Sequence, residues 1–144
     1  MSIADRDSCI AALREAGLKI TPQRMAVVEC LIGDETHPTA NALYERLRPR
    51  FPSMSVATIY NTLSALDAIG CCRRLELGGP SRFDPNVQPH DHAVCERCGA
   101  MRDIDRPLEP ASPPLHALPG FFVERVERIY RGLCATCAEN AQSA

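Results

Sequence analysis

Apolar residues recur at helical spacing through the first seventy positions of the chain, then give way to short alternating runs. A first helix is expected over residues 5–16, stopped by Gly17 in the position after a helix end where glycine is favoured. In "ITPQRMAVVECLIG", Thr21 offers an N-cap and Pro22 an N1 residue whose missing N–H costs nothing; Met25, Val28, Leu31 and Ile32 then fall on one side. A third helix begins after Thr39, buries Leu43 and Leu47, and ends between Pro49 and Pro52. The fourth, "SVATIYNTLSALDAIG", separates into two faces. Ile59, Leu63, Leu66 and Ile69 face the core, whereas Ala57, Tyr60, Asn61 and Ser64 form a second face that is small, polar and aromatic but uncharged.

Past Gly70 the runs "CCRRLEL" and "SRFD", joined by "GGP", read as a two-stranded hairpin. Helices followed by such a hairpin have the order of a winged helix. From about Asn86 the pattern restarts. "HAVCERCGAMRDI" reads as strands around a knuckle, "RPLEPASPPLHALPG" as a proline-rich crossover, and a strand is expected near 121–131. The fold class expected is α+β: a winged-helix domain at 1–83, a hinge at 84–88, and a small α/β domain at 89–144.

Composition adds boundaries rather than detail. A chain of 144 residues with 45% hydrophobic side chains suffices for one ordinary domain or two small ones. No run of about 18 apolar residues suggests a membrane span, and the start "MSIADRDSC" lacks the basic and apolar regions of a signal peptide, so a cytoplasmic protein is expected. The net charge of -2 hides an asymmetry: residues 1–83 carry ten Lys/Arg against nine Asp/Glu, residues 84–144 six against nine. Such sums say little about a protein that binds DNA with one face.

Eight cysteines bring in chemistry. Cys95-x-x-Cys98 and Cys134-x-x-Cys137 each place two thiolates on a tight turn, and the 35 residues between the pairs allow them to meet. Four thiolates match a closed, structural Zn²⁺ site better than a disulfide framework, which needs an oxidising compartment. Cys9, Cys30, Cys71 and Cys72 are read as small buried hydrophobes without assigned function. In "PHDHAVCERCG", His90 and His92 point the same way on a strand, with Asp91 turned away. Asp84, Asp103 and His37 are further imidazole and carboxylate donors, and such a set suits Fe²⁺, Mn²⁺ or Zn²⁺.

At these residues the sequence closely resembles the ferric uptake regulator family of metal-dependent transcription repressors, from "GLKITPQR" through "SVATIYNTL", "RFD" and "HDHAVCERCG" to "GLCATC". The resemblance implies a cytoplasmic homodimer with a structural zinc at Cys95, Cys98, Cys134 and Cys137. It implies a regulatory Fe²⁺ or Mn²⁺ at His37, Asp84, His90, His92 and Asp103, shared between the two domains. Aspartate at both 84 and 103, and Asn61 where iron-sensing members commonly have arginine, look like the peroxide-sensing branch. There the residues matching His37 and His90 take up oxygen, the metal is lost and DNA is released. A further metal site frequent in the family is expected to be absent, because Pro89 and Pro110 stand where ligands would be.

The second face of the fourth helix then acquires a role at the major groove of double-stranded DNA. Ala57 can meet a thymine methyl, Asn61 can bond adenine bidentately, and Tyr60 can reach a thymine or phosphate. Ser55 and Thr58 join them at the helix start. Arg24, Arg73, Arg74 and Arg82 are candidates for phosphates and Lys19 for the minor groove, and an AT-rich palindrome is expected as the operator. The alternatives are an iron-, manganese- or zinc-responsive regulator of the same family without peroxide chemistry, or a zinc-stapled protein adaptor. A zinc nucleobase deaminase is disfavoured because the glutamate of its H-x-E is replaced here by Asp91-His92 and no proline precedes Cys95.

Overall fold

The structure, a computed structural model, describes residues 5–88, 90–105, 118–122 and 128–142. Each of its first four helices starts where a short oxygen-bearing side chain closes the first turn. Asp5 accepts from the Ser8 amide ahead of α1 (Arg6–Glu15), Thr21 from Arg24 ahead of α2 (Pro22–Leu31), Thr39 from Ala42 ahead of α3 (Ala40–Leu47), and Ser55 from Thr58 ahead of α4 (Val56–Ala68). Each such cap is worth about 1 kcal/mol. Both α1 and α4 stop at a glycine of positive φ. Gly70, at φ 80°, lets its own amide reach Asp67 O and the Cys71 amide reach Leu66 O, which satisfies carbonyls that the helix end would leave bare.

The chain divides into two compact units, Met1–Gln88 and Pro89–Ala144. In the first, Leu13, Val27, Val28, Leu31, Leu43, Ile59, Leu63, Leu66 and Phe83 are fully buried. Each contributes about 1.5–3 kcal/mol of burial. Helix α2 departs from the single face expected of it: Ala26 and Val27 are buried as well as Val28 and Leu31, while Met25 and Ile32 are only partly covered. It packs against α1, α3 and α4, so three sides need apolar cover. Helix α4 keeps its two faces, with Ile59, Leu63 and Leu66 inside and Ala57, Asn61 and Ser64 exposed.

The hairpin is shorter than its sequence run. Strands β1 (Arg73–Leu75) and β2 (Arg82–Asp84) pair antiparallel, with Arg73 opposite Asp84. Cys71 and Cys72 stay outside the strand, because the turn that closes α4 occupies Gly70 and Cys71 and turns both thiols into the core. The loop before α3 joins the hairpin from the other side: the Phe83 amide donates to Pro38 O at 3.0 Å, and Thr39 bridges Arg82.

In the second unit β3 (His90–Cys95) is the middle strand, antiparallel to β4 (Met101–Asp105) and parallel to β5 (Ile129–Gly132). Of the expected strand over 121–131, Phe121 and Phe122 lie outside any strand, 123–127 lie outside the described residues, and β5 takes up the end from Ile129. The crossover at 106–117, with Pro110 and His116, and Pro89 also lie outside them. A closing helix, α5 (Ala135–Gln142), was not among the expected elements. Among the described residues no helix is long and apolar enough to cross a membrane.

Candidate metal centres and nucleic-acid interface

The knuckle between β3 and β4 is closed by backbone bonds: the Gly99 amide donates to Cys95 O and the Cys95 amide to Ala100 O, both at 2.9 Å. This wraps Cys98 back beside Cys95, with the Cys98 amide 3.5 Å from Cys95 Sγ. Parallel pairing of β5 with β3 sets Gly132 opposite Cys95, which delivers Cys134 and, one turn into α5, Cys137 to the same place. The four sulfurs lie within 4.8 Å of one another. Cys98 Sγ and Cys134 Sγ stand 3.8 Å apart. That is far beyond a disulfide bond, and it is the edge of a tetrahedron whose centre lies about 2.3 Å from each sulfur, the Zn–S distance.

The charge state suits a cation. Backbone N–H groups of Cys98 and Cys134 lower the Cys95 thiol to about 6, so a thiolate is present at neutral pH. Hydrogen bonding with Cys134, then burial, pushes Cys137 up to about 12. A divalent ion would release those remaining protons. The thiols of the first unit are different in kind. Burial pushes both Cys9 and Cys72 up to about 12, and Cys72 Sγ points at Leu63 O, 3.9 Å away, so they behave as core residues.

On β3 the alternation expected from the sequence is present. His90 and His92 converge, their Nε2 atoms 2.9 Å apart, and the register that puts His92 opposite Asp103 brings Asp103 Oδ1 to 3.2 Å from His90 Nε2 and 3.5 Å from His92 Nε2. Donor atoms bonded to one ion at about 2.1 Å and at right angles stand about 3.0 Å apart, so this triangle fits three adjacent ligands. Asp91 faces the opposite way, fully buried, and is paired with the Arg128 guanidinium at 2.9 Å. It is a structural ion pair that the sequence reading missed.

In the first unit His37 and Asp84 form a second buried pair. Both are about 1% exposed, with His37 Nε2 3.4 Å from Asp84 Oδ2. Asp84 ends β2, and its Oδ1 accepts the Asn86 amide at 2.9 Å, which leaves Oδ2 aimed at His37. His37 has φ 54°; among the described residues it is the one non-glycine residue with positive φ. That left-handed backbone costs about 1–2 kcal/mol for a residue with a Cβ, and a following proline ordinarily favours extended backbone instead.

The DNA-reading candidates lie on the first unit. Ala57 and Asn61 are exposed on α4, and Tyr60 is half-buried against the core with Thr58 beside it. Ser55 is exposed but engaged as the N-cap, 3.1 Å from the Thr58 hydroxyl. Thr62, buried on the same helix, returns its hydroxyl to Thr58 O at 2.8 Å and is structural. Lys19 is exposed, and Arg24 donates to its carbonyl. Arg74 lies over the Phe83 ring. Arg73, expected at a phosphate, is half-buried and donates from its guanidinium to Val87 O at 3.1 Å, which ties the hairpin to the segment after it.

Comparison with known proteins places this geometry. Residues 15–116 match the model of the ferric uptake regulator family. The chain is 41% identical over 135 residues to the peroxide-responsive repressor of Staphylococcus epidermidis, which covers 92% of this chain and 90% of that protein. The Campylobacter jejuni peroxide stress regulator superposes with a TM-score of 0.67 at 28% identity, covering 89% of this chain and 98% of that one. The Helicobacter pylori ferric uptake regulator, described with three functional metal-binding sites, matches in fold with a TM-score of 0.79 at 20% identity, covering 96% and 97%.

Proposed function

The chain belongs to the ferric uptake regulator family, and on that premise we propose that it is a metal-dependent DNA-binding repressor that senses hydrogen peroxide. The observation that carries the reading is the triangle of His90, His92 and Asp103, an imidazole and carboxylate set that suits Fe²⁺ or Mn²⁺ rather than thiolate-preferring ions. We assign Cys95, Cys98, Cys134 and Cys137 to a structural Zn²⁺. His37, Asp84, His90, His92 and Asp103 are assigned to one regulatory Fe²⁺ or Mn²⁺. The first two belong to Met1–Gln88 and the other three to Pro89–Ala144. Metal binding would be coupled to DNA binding, with a coupling free energy of typically about 1–3 kcal/mol.

Fe²⁺ held by these residues would relay electrons from a ligand imidazole to peroxide, the two electrons of the overall step coming from the ring itself. His37 and His90 take up the oxygen: each oxidised imidazole gains one oxygen atom from peroxide, and the other leaves as water. The altered ring no longer serves as a neutral nitrogen donor, so the site loses affinity and the repressor leaves its operator. Asp84 and Asp103 keep the donor set short and hard, and Asp91, locked to Arg128, stays out of it.

The protein acts in the cytoplasm as a homodimer and is not an enzyme. The second unit exposes Phe121, Phe122, Tyr130 and Leu133, and an open cavity of about 250 Å³ runs along β3 and β5 beside Tyr130 and Leu133, apolar surface suited to a second copy. Dimer symmetry calls for a palindromic, AT-rich operator read by Ala57, Tyr60 and Asn61, with Ser55 and Thr58 at the helix start, Arg24 at a phosphate and Lys19 in the minor groove. Arg73 serves first as a tie to Val87.

The test loads the protein with Fe²⁺ or Mn²⁺, exposes each form to peroxide, and measures DNA binding and peptide masses. The iron form is expected to lose DNA binding and to gain one oxygen on the peptides containing His37 or His90, the manganese form to do neither. Retention by both forms without added oxygen would leave a metal-responsive uptake regulator without peroxide chemistry.

A further inference from the structure

We propose that Asp34, Thr36 and Arg46 form a positioning clamp that holds His37 in its left-handed conformation, so that its imidazole is already aimed where the regulatory metal needs it; this rests on the metal assignment above. The segment between α2 and α3 has no regular structure, yet it is densely tied. The Asp34 amide donates to Leu31 O at 3.0 Å, which anchors its start. The Asp34 carboxylate then accepts the Thr36 amide at 2.7 Å, the Thr36 hydroxyl, and the guanidinium of Arg46, which reaches across from α3. A second Arg46 nitrogen stands 3.4 Å from the Thr36 hydroxyl. On the other side of His37, Pro38 O is held by the Phe83 amide and Thr39 by its bridge to Arg82.

A strained backbone persists where its surroundings over-determine it, and His37 is held from both sides in this way. The Asp34 side chain is 8% exposed and the Arg46 side chain 44% exposed, so the clamp is a partly desolvated pair rather than a free surface bridge. Burial pushes the Asp34 carboxyl up, but the hydrogen bonds from Thr36 and Arg46 outweigh it and leave the group below its ordinary 3.8. Neither Asp34, Thr36 nor Arg46 is a ligand. Their effect passes through the backbone of His37.

The experiment compares wild type, Asp34→Ala, Asp34→Asn, Thr36→Val and Arg46→Lys for Mn²⁺ affinity by electron paramagnetic resonance, for amide exchange in the metal-free protein, and for thermal unfolding. Asp34→Ala is expected to weaken Mn²⁺ binding about tenfold and Thr36→Val about threefold, with Asp34→Asn and Arg46→Lys retaining part of the loss. The Thr36 and His37 amides should exchange faster in the same order without metal, while the unfolding midpoint moves little. A merely structural role would shift the midpoint and leave Mn²⁺ affinity unchanged. Wild-type affinity in folded Thr36→Val and Asp34→Ala overturns the clamp. Should Asp34→Ala not fold, Thr36→Val, which keeps every backbone bond, decides alone. Failure of wild type to bind Mn²⁺ overturns the metal assignment and the clamp together.

Discussion

Asn61 sits at the exposed side of α4 with its amide uncommitted to any core group, and that fits it to discriminate rather than to hold the fold. Replacing it by alanine removes a bidentate partner for adenine, worth about 1–3 kcal/mol of discrimination. Operator affinity measured on sequences varied one base pair at a time should therefore fall about 5- to 150-fold and lose its preference at one position per half-site, with the slope against salt unchanged. An equal loss on every sequence would instead mark Asn61 as a backbone contact. The thiols argue at the same scale. Burial holds Cys9 and Cys72 up near 12, and only a depressed, accessible thiol reacts quickly. Alkylation of the native, zinc-loaded protein followed by peptide mapping should modify the partly exposed Cys30 and leave Cys9 and Cys72 bare, whereas prompt labelling of Cys72 would contradict its placement in the core.

Strand β3 shows how an element can serve two purposes with one alternation. His90 and His92 face the donor triangle, and Asp91 between them faces Arg128, whose carbonyl also takes the His92 amide at 3.1 Å. The Asp91 side chain has no exposure, so loss of Arg128 would strand a buried carboxylate at about 3–5 kcal/mol. Arg128→Ala should lower the unfolding midpoint of the second unit sharply, and Asp91→Asn on that background should recover much of the loss, as scanning calorimetry of the two variants would reveal; a neutral Arg128→Ala would mean the ion pair does not hold β5 in place. What could be read from the sequence follows the same lines. The start of α2 was legible because Thr21 is a cap with a mechanism, and the cysteine pairs and His90 with His92 because spacing on a turn or strand fixes which side chains share a side, whereas His37, Asp84 and Asp103 were assigned to the set through the family resemblance. Asp91 with Arg128, and Asp34 with Arg46, were not legible, since each joins residues whose proximity is created by tertiary packing alone. Helix α5 escaped notice because eight residues of "ATCAENAQ" carry no apolar stripe.

At the scale of the whole molecule the proposed assignment would have the two donor clusters divide permanence from response, and that division follows from ligand chemistry. Four thiolates gathered by a knuckle, a parallel strand and a helix leave no open position, and structural zinc binding at such sites contributes about 10–16 kcal/mol to the folded state. Among the described residues the second unit has a three-stranded sheet and one eight-residue helix to bury, so zinc at those thiolates would supply much of its stability. An imidazole and carboxylate site binds Mn²⁺ or Fe²⁺ more weakly and can empty without unfolding anything. A carboxylate chelator at moderate concentration should therefore abolish DNA binding while leaving zinc content, circular dichroism and dimer mass intact, and added Mn²⁺ should restore it. A mercurial that captures the thiolates should release zinc, collapse the helical and sheet signal of the second unit, and give monomers that Mn²⁺ does not rescue. Metal analysis with analytical ultracentrifugation separates the two steps. Loss of zinc and of DNA binding at the same chelator concentration would mean that one class of site carries both roles, and the assignment of Cys95, Cys98, Cys134 and Cys137 to structure alone would fall.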